Sequence, residues 1–256
     1  MLNVYKRYSL SDADLNVLVQ GTSISDSVIN VAQYLIQKKY PTCVGFQDVL
    51  LGRCLQFTQI KGPFVQILHV QNPNHWLTVT NVGADKNTVF IYDSIDQDTP
   101  PDAVRQICHI LKLQSPTLTI QTMKAQNQCN TLDCGLFAIA NMYYIASGRK
   151  PETLNLNQVM LRKHLLQCIQ NGMIEDFPLI NSMAARVQPR DSIYKLHCVC
   201  RQPQYSGVVL DITCASCSRG FHGACLGSLA ANLDKKVFVC SQSCLLVAKE
   251  KIHSSN

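Results

Sequence analysis

The segment Asp133–Ser147 is apolar around nearly its whole circumference. A helix of that kind has no face to offer to water, so it must be enclosed by other elements and sit at the centre of a core. Gly148 follows directly and supplies a natural stop. Three other segments have helical spacing. Asp26–Tyr40 places Val28, Val31, Ala32, Leu35 and Ile36 on one face, with Ser25 or Asp26 as cap and Pro41 just beyond. Pro100-Pro101 opens a helix expected to reach about Leu113, and Gln158–Gln170 is amphipathic. Strand-like runs occur at Phe64–Val70, His75–Val82, Thr88–Tyr92 and Thr117–Met123, with a turn at Gly83–Asn87. Grouped strands with helices around them predict an α+β domain.

The chain has 256 residues, enough for one sizeable core and a small module. No apolar run approaches the roughly eighteen residues of a membrane span. Met1–Asp14 has no signal-peptide apolar region, so an intracellular chain is expected. Periodicity dissolves into polar and basic residues from Asn181 to Lys195. The expected organisation is a domain over 1–180, a linker over 181–195, a metal module over 196–248 and a tail over 249–256.

Of 13 cysteines, seven fall between Cys198 and Cys244, six of them in three pairs and Cys225 beside His222. Paired cysteines in a chain without a secretion signal point to metal, not disulfides. With His222 they make eight soft ligands: Cys198, Cys200, Cys214, Cys217, His222, Cys225, Cys240 and Cys244. Eight ligands fill two tetrahedral zinc sites with no open position, so the zinc is expected to be structural. A short segment with little apolar sequence needs such an anchor. Residues 186–256 carry nine basic and four acidic side chains. Ligand thiols bind as thiolates, and with two Zn²⁺ that excess shrinks to about +2, which makes no strong case for nucleic-acid binding. Cys43, Cys54, Cys108, Cys129 and Cys168 read as buried apolar side chains or idle thiols.

Cys134 stands at the start of the buried helix, with Asp133 near its N-cap position. A helix N-terminus favours a thiolate. His75 begins one strand and Asp93 follows the next. If those strands pair antiparallel, both residues fall at one edge, where the carboxylate can orient the imidazole as general base. Gln128 and the backbone N–H of Cys134 would serve an oxyanion, and Gly135 would leave room for a substrate backbone. Taken singly, each has an ordinary reading: a core thiol, a surface histidine, a turn aspartate. Their order and contexts together point to a cysteine hydrolase site.

The segments His75-Trp76, Asp93 and Gln128-x-Asn130-x-x-Asp133-Cys134-Gly135 resemble the catalytic motifs of the Ulp/SENP-type cysteine proteases, adenain-like enzymes included. Ile24-Ser25-Asp26-Ser27-Val28-Ile29-Asn30 resembles that family's substrate-binding helix start. The resemblance covers about residues 15–178. It implies a papain-like peptidase fold in circular order, with Cys134 as nucleophile, His75 as base, Asp93 as orienter and Gln128 as oxyanion donor. It implies peptide or isopeptide cleavage after the Gly-Gly tail of a ubiquitin-like modifier, SUMO or related, free or conjugated. Trp76 matches the tryptophan covering that tail, and Asp26 matches a contact to an arginine of the modifier. A second family tryptophan falls at Ser23, so one wall of the tunnel is replaced. A catalytically inactive protease fold serving as a chromatin or protein-interaction module is the alternative.

The later ligands resemble a PHD finger, four cysteines, one histidine and three cysteines in a cross-brace. The resemblance implies Cys198, Cys200, His222 and Cys225 on one zinc and Cys214, Cys217, Cys240 and Cys244 on the other, with Phe238 as the usual aromatic. It implies a histone tail or another protein as partner and a nuclear location, while the lack of a long apolar run leads to no membrane partner being expected. The cage tryptophan of methyl-lysine readers falls at Gly220, and Tyr194 and Tyr205 are the nearby tyrosines, so trimethyl-lysine recognition is not expected. Such domain pairs occur among transposon-derived Ulp-like genes.

Overall fold

The computed structural model describes residues 10–111, 113, 115–204, 209–226 and 238–253, backbone alone from 248. The chain divides into two compact units, Met1–Lys112 with Thr119–Ile193, and Leu113–Leu118 with Tyr194–Asn256.

The first unit begins with α1 (Asp12–Gln20) and α2 (Asp26–Lys39). Ser11 and Asp14 cap α1 reciprocally, each side chain meeting the other's backbone N–H. Sequence reading overlooked α1, although Ser11-x-x-Asp14 is a legible capping signal. Ser25, not Asp26, caps α2: its Oγ accepts from the Val28 N–H at 3.4 Å and donates to Asp14 at 2.8 Å. A single turn, α3 (Leu50–Arg53), leads to β1 (Val65–Val70), β2 (His75–Thr80) and β3 (Thr88–Tyr92).

β1, β2 and β3 pair antiparallel, and β3 pairs parallel with β4 (Thr117–Thr122). A parallel neighbour demands a crossover, and α4 (Pro101–Ile110) lies in it. That helix stops short of Leu113, since Leu111 is already extended. β2 is buried at every position, not on alternate ones. Both faces of the sheet are covered, because α4 packs on β1 while α5 (Cys134–Ala146) packs on β1 and β2.

Twelve of the thirteen residues of α5 are buried, as a helix apolar on all sides requires. α2 and α6 (Gln158–Asn171) close over it. One cluster joins Val28, Ile29, Val65, Ile67, Phe137, Tyr143, Leu165 and Phe177. The segment expected as a linker is partly structured. The Val187 N–H donates to the Ala125 carbonyl, and Arg190–Lys195 forms β5, the fifth strand of the sheet in the order β1-β2-β3-β4-β5. Period two is present in β5, but polar side chains on both faces hide it.

The second unit contains a two-stranded ribbon, β6 (Ile212–Thr213) and β7 (Gly220–Phe221), a turn α7 (Gly223–Leu226) and α8 (Gln242–His253). The expected tail from 249 is helical as far as His253. The described apolar core is small: Ile212, Phe221 and Phe238, the two rings edge-to-face at 5.2 Å, with the ligand thiols around them. No helix among the described residues is long and apolar enough to cross a membrane.

Candidate active site

Cys134 is the first residue of α5 and is 4 % exposed. The loop before it is shaped by Asn130, whose Oδ1 accepts the N–H groups of Leu132 at 2.9 Å and Asp133 at 3.1 Å. Asp133 occupies the N-cap position, but its carboxylate does not cap the helix. It accepts instead from Asn130 and Gln158, both at 2.7 Å, and from Arg162 at 2.5 Å. Gly135 likewise differs from expectation. The space a Cβ would need is already filled by Ile24, 2.5 Å away, with Trp76 at 3.2 Å, so the glycine admits the core and not a substrate.

The Thr78↔Tyr92 register of β2 and β3 places His75 and Asp93 at the same sheet edge. Asp93 Oδ1 accepts from His75 Nε2 at 2.5 Å. The Ile95 N–H and the Gln97 amide, each 2.9 Å away, fill the remaining positions of the carboxylate. Both partners are almost fully buried, at 1 % and 3 % exposure. Burial alone would lower the pKa of His75. The hydrogen bonds and charges of Asp93 and the Cys134 side chain outweigh it and push the imidazole up to about 9. The arrangement therefore stores a proton on the ring, beside a sulfur placed at a helix N-terminus.

Gln128 is clasped by Ser94: Oγ donates to its Oε1 at 2.6 Å and the Gln128 N–H meets the Ser94 carbonyl at 2.9 Å. Its Nε2 also donates to the Asn130 carbonyl. Ser94, Gln158 and Arg162 were not singled out from sequence. Ser94 had a local signal, adjacency to Asp93. The other two lie a helix away and had none.

A cleft of about 230 Å³ opens at Cys134. Trp76, which packs against the His69 ring at 4.3 Å, lines it together with Ser23, Ile24 and Asp26. Ser23 thus lines the cleft where the expected second aromatic wall would stand, and Asp26 faces the same space.

The eight metal-ligand candidates gather into two sets, Cys198, Cys200, His222 and Cys225, and Cys214, Cys217, Cys240 and Cys244. Within each set the ligand atoms lie within 4.8 Å of one another. A tetrahedral ion at 2.3 Å from sulfur separates its ligands by about 3.8 Å. Cys217–Cys240 at 3.5 Å, Cys240–Cys244 at 3.6 Å and Cys200–His222 Nδ1 at 3.3 Å fit that size. The His222 and Cys240 N–H groups point at Cys198 and Cys214 sulfurs, as donors to thiolates do. Both sets can hold a metal ion. At Gly220 a Cβ would meet Leu210 at 2.9 Å, which leaves no room for a larger side chain. Tyr205 lies outside the described residues.

The remaining cysteines form no disulfide: Cys108 and Cys168 are buried, Cys43 is partly so, and Cys54 and Cys129 are exposed.

No curated protein matches the chain significantly. Among solved structures, it is similar to the C-terminal Ulp1 protease domain in complex with Smt3, the yeast ortholog of SUMO. The identity is 16 %, coverage is 66 % of this chain and 93 % of that one, and the TM-score is 0.50. It is also similar to the SUMO protease Ulp1 with its catalytic cysteine oxidised to a sulfonic acid, at 16 % identity, 64 % and 85 % coverage and a TM-score of 0.49. Residues 63–171, from the approach to β1 through α6, match the sequence model of the Ulp1 protease family, C-terminal catalytic domain. The first unit of this chain therefore has the fold of a Ulp1-type cysteine protease catalytic domain.

Proposed function

We propose that the first unit is a cysteine peptidase or isopeptidase that cleaves after the C-terminal tail of a ubiquitin-like modifier, SUMO or related, released from a precursor or from a conjugate. The buried His75–Asp93 pair, with the Cys134 side chain near enough to raise the imidazole pKa and itself lining the Trp76 cleft, carries this reading. The family match and the Smt3 bound to the similar yeast domain support the substrate class. In the reaction, the Cys134 thiolate attacks the carbonyl carbon. The oxyanion is held by the Cys134 N–H and the Gln128 amide. The C–N bond breaks as the His75 imidazolium protonates the leaving amine. Water, deprotonated by His75, then attacks the thioester, freeing the carboxylate and regenerating the thiol. Asp93 orients the ring and stabilises its charged form throughout. Trp76 covers the small tail, and Asp26 meets a basic side chain of the modifier.

The second unit is read as a PHD-like cross-brace holding two structural zinc ions. These ions take no part in the chemistry, because closed four-ligand sets leave no coordination position for substrate. The finger would bring the protease to a protein partner, a histone tail among them, in the nucleus. The crowding of Gly220 by Leu210 favours an unmodified tail or another protein over methyl-lysine.

The test is labelling of wild type and Cys134→Ala with electrophilic probes ending in SUMO, ubiquitin and related modifiers. One modifier probe should label wild type and not the variant. No labelling by any probe would favour an inactive protease fold kept as an interaction module.

A further inference from the structure

One guanidinium joins two parts of the site, the chain leading into the cleft lining and the loop that carries the thiol. Arg162, on α6, donates through one terminal nitrogen to the Val17 carbonyl at 3.2 Å and the Thr22 carbonyl at 2.6 Å. Its other terminal nitrogen donates to the Leu132 carbonyl at 3.3 Å and to Asp133 Oδ1 at 2.5 Å. The side chains of the pair are only 16 % and 7 % exposed. The first two acceptors come just before the cleft-lining segment Ser23–Asp26 in the chain; the last two immediately precede the thiol. Ile24 makes the same connection by packing on Gly135.

We propose that Arg162 is the positioning residue of this site, locking the nucleophile loop to the cleft wall while neutralising the Asp133 carboxylate beside Cys134. The proposal rests on Cys134 being the nucleophile. It has a mechanical and an electrostatic part. A planar fork can reach four acceptors in two directions, whereas an ammonium cannot hold that spread. A tail entering the cleft presses on Ser23–Asp26, and Arg162 hands that load to residues 132–133. As for charge, the groups around Cys134 are His75, backed by Asp93, on the sheet; Asp26, Arg53 and His69 along the cleft; and Asp133 in its own loop. A buried carboxylate one residue from the sulfur opposes a thiolate unless a cation answers it.

Two electrophiles separate these parts: iodoacetamide, which needs only the thiolate, and a short peptide ending in a diglycine electrophile, which must also occupy the cleft. Alkylation of Cys134 is followed by mass spectrometry against pH in wild type, Arg162→Gln, Arg162→Lys and Arg162→Gln/Asp133→Asn. In Arg162→Gln the half-point of iodoacetamide alkylation should move up by about one pH unit, and the diglycine reaction should slow at least tenfold. The double variant should regain the iodoacetamide profile, because the stranded charge is gone, but not the diglycine rate. Arg162→Lys should keep the profile and lose part of the diglycine rate. A purely structural arginine would not make the pH profile depend on Asp133. If Arg162→Gln fails to fold, the lysine and double variants still decide: a wild-type diglycine rate in both overturns the proposal. An unshifted profile in folded Arg162→Gln, or no restoration in the double variant, overturns it as well. If the profile shifts as stated but no version reacts with the diglycine peptide, the tail-cleavage reading falls and the charge role of Arg162 stands.

Discussion

Asp93 gives up one oxygen to His75 and keeps its place through Ile95 and Gln97. Its charge therefore remains where the imidazolium needs it whatever the substrate does. Because the folded pKa of His75 is raised to about 9 from 6.5, the stabilising contribution of the pair is complete below pH 6.5. It is lost as pH climbs through about 9. The alkaline limb of kcat/KM should fall near that value. In Asp93→Asn the burial of His75 is opposed by Cys134 without the Asp93 charge, so the limb should move down by more than one pH unit, with kcat lower by roughly 10²–10⁴-fold. A pH–rate profile of the two proteins checks both points. At this scale His75, Asp93 and Cys134 were legible because each abuts a pattern, a strand start, a strand end or a helix start. Arg162 was not, since its four acceptors belong to segments that meet only in the folded chain. The N-cap place of Asp133 was legible because it is a local inference; the partner of its carboxylate, a guanidinium from another helix, was not.

Among the elements, α5 is the one whose placement fixes the rest. Thr78 on β2 donates to the Ala138 carbonyl at 2.7 Å, a side-chain tie between sheet and central helix. At its first turn the tolerance is narrower still. Gly135→Ala puts a methyl 2.5 Å from Ile24, so the cleft wall must shift. A loss of about 1–3 kcal/mol is expected, typical of overpacking. Ile24→Val should restore part of it in the double variant, and thermal melts of the single and double variants measure this. The helices that bury one clean face were read to within a few residues, and so were the β-branched strands. α1 and β5 escaped because one is short and mostly exposed and the other polar on both faces.

For the whole molecule, the two units hold together by different means. The first has a continuous apolar cluster running from α2 through α5 to α6. Among its described residues the second has a buried apolar core of only Ile212, Phe221 and Phe238, with two ligand sets around it. So few apolar groups cannot offset the entropy of ordering the chain. Removing metal with a strong chelator should release two zinc equivalents and collapse the second unit, while Cys134 keeps its selective reaction with a diglycine electrophile. Native mass spectrometry and site-resolved labelling check the two halves of that statement. The ligand spacing was legible because metal chemistry dictates it directly; the helical course of residues after 248 was not, since no ligand specifies it. The division of labour inside the first unit also has a practical side. The base comes from the sheet and the thiol from a helix laid across it, so an activated sulfur exists only while those layers are docked. Cys54 and Cys129, both exposed, carry no such condition. The ratio of alkylation at Cys134 to that at Cys54 is therefore a built-in gauge of native assembly, readable in a crude lysate without purification or a substrate.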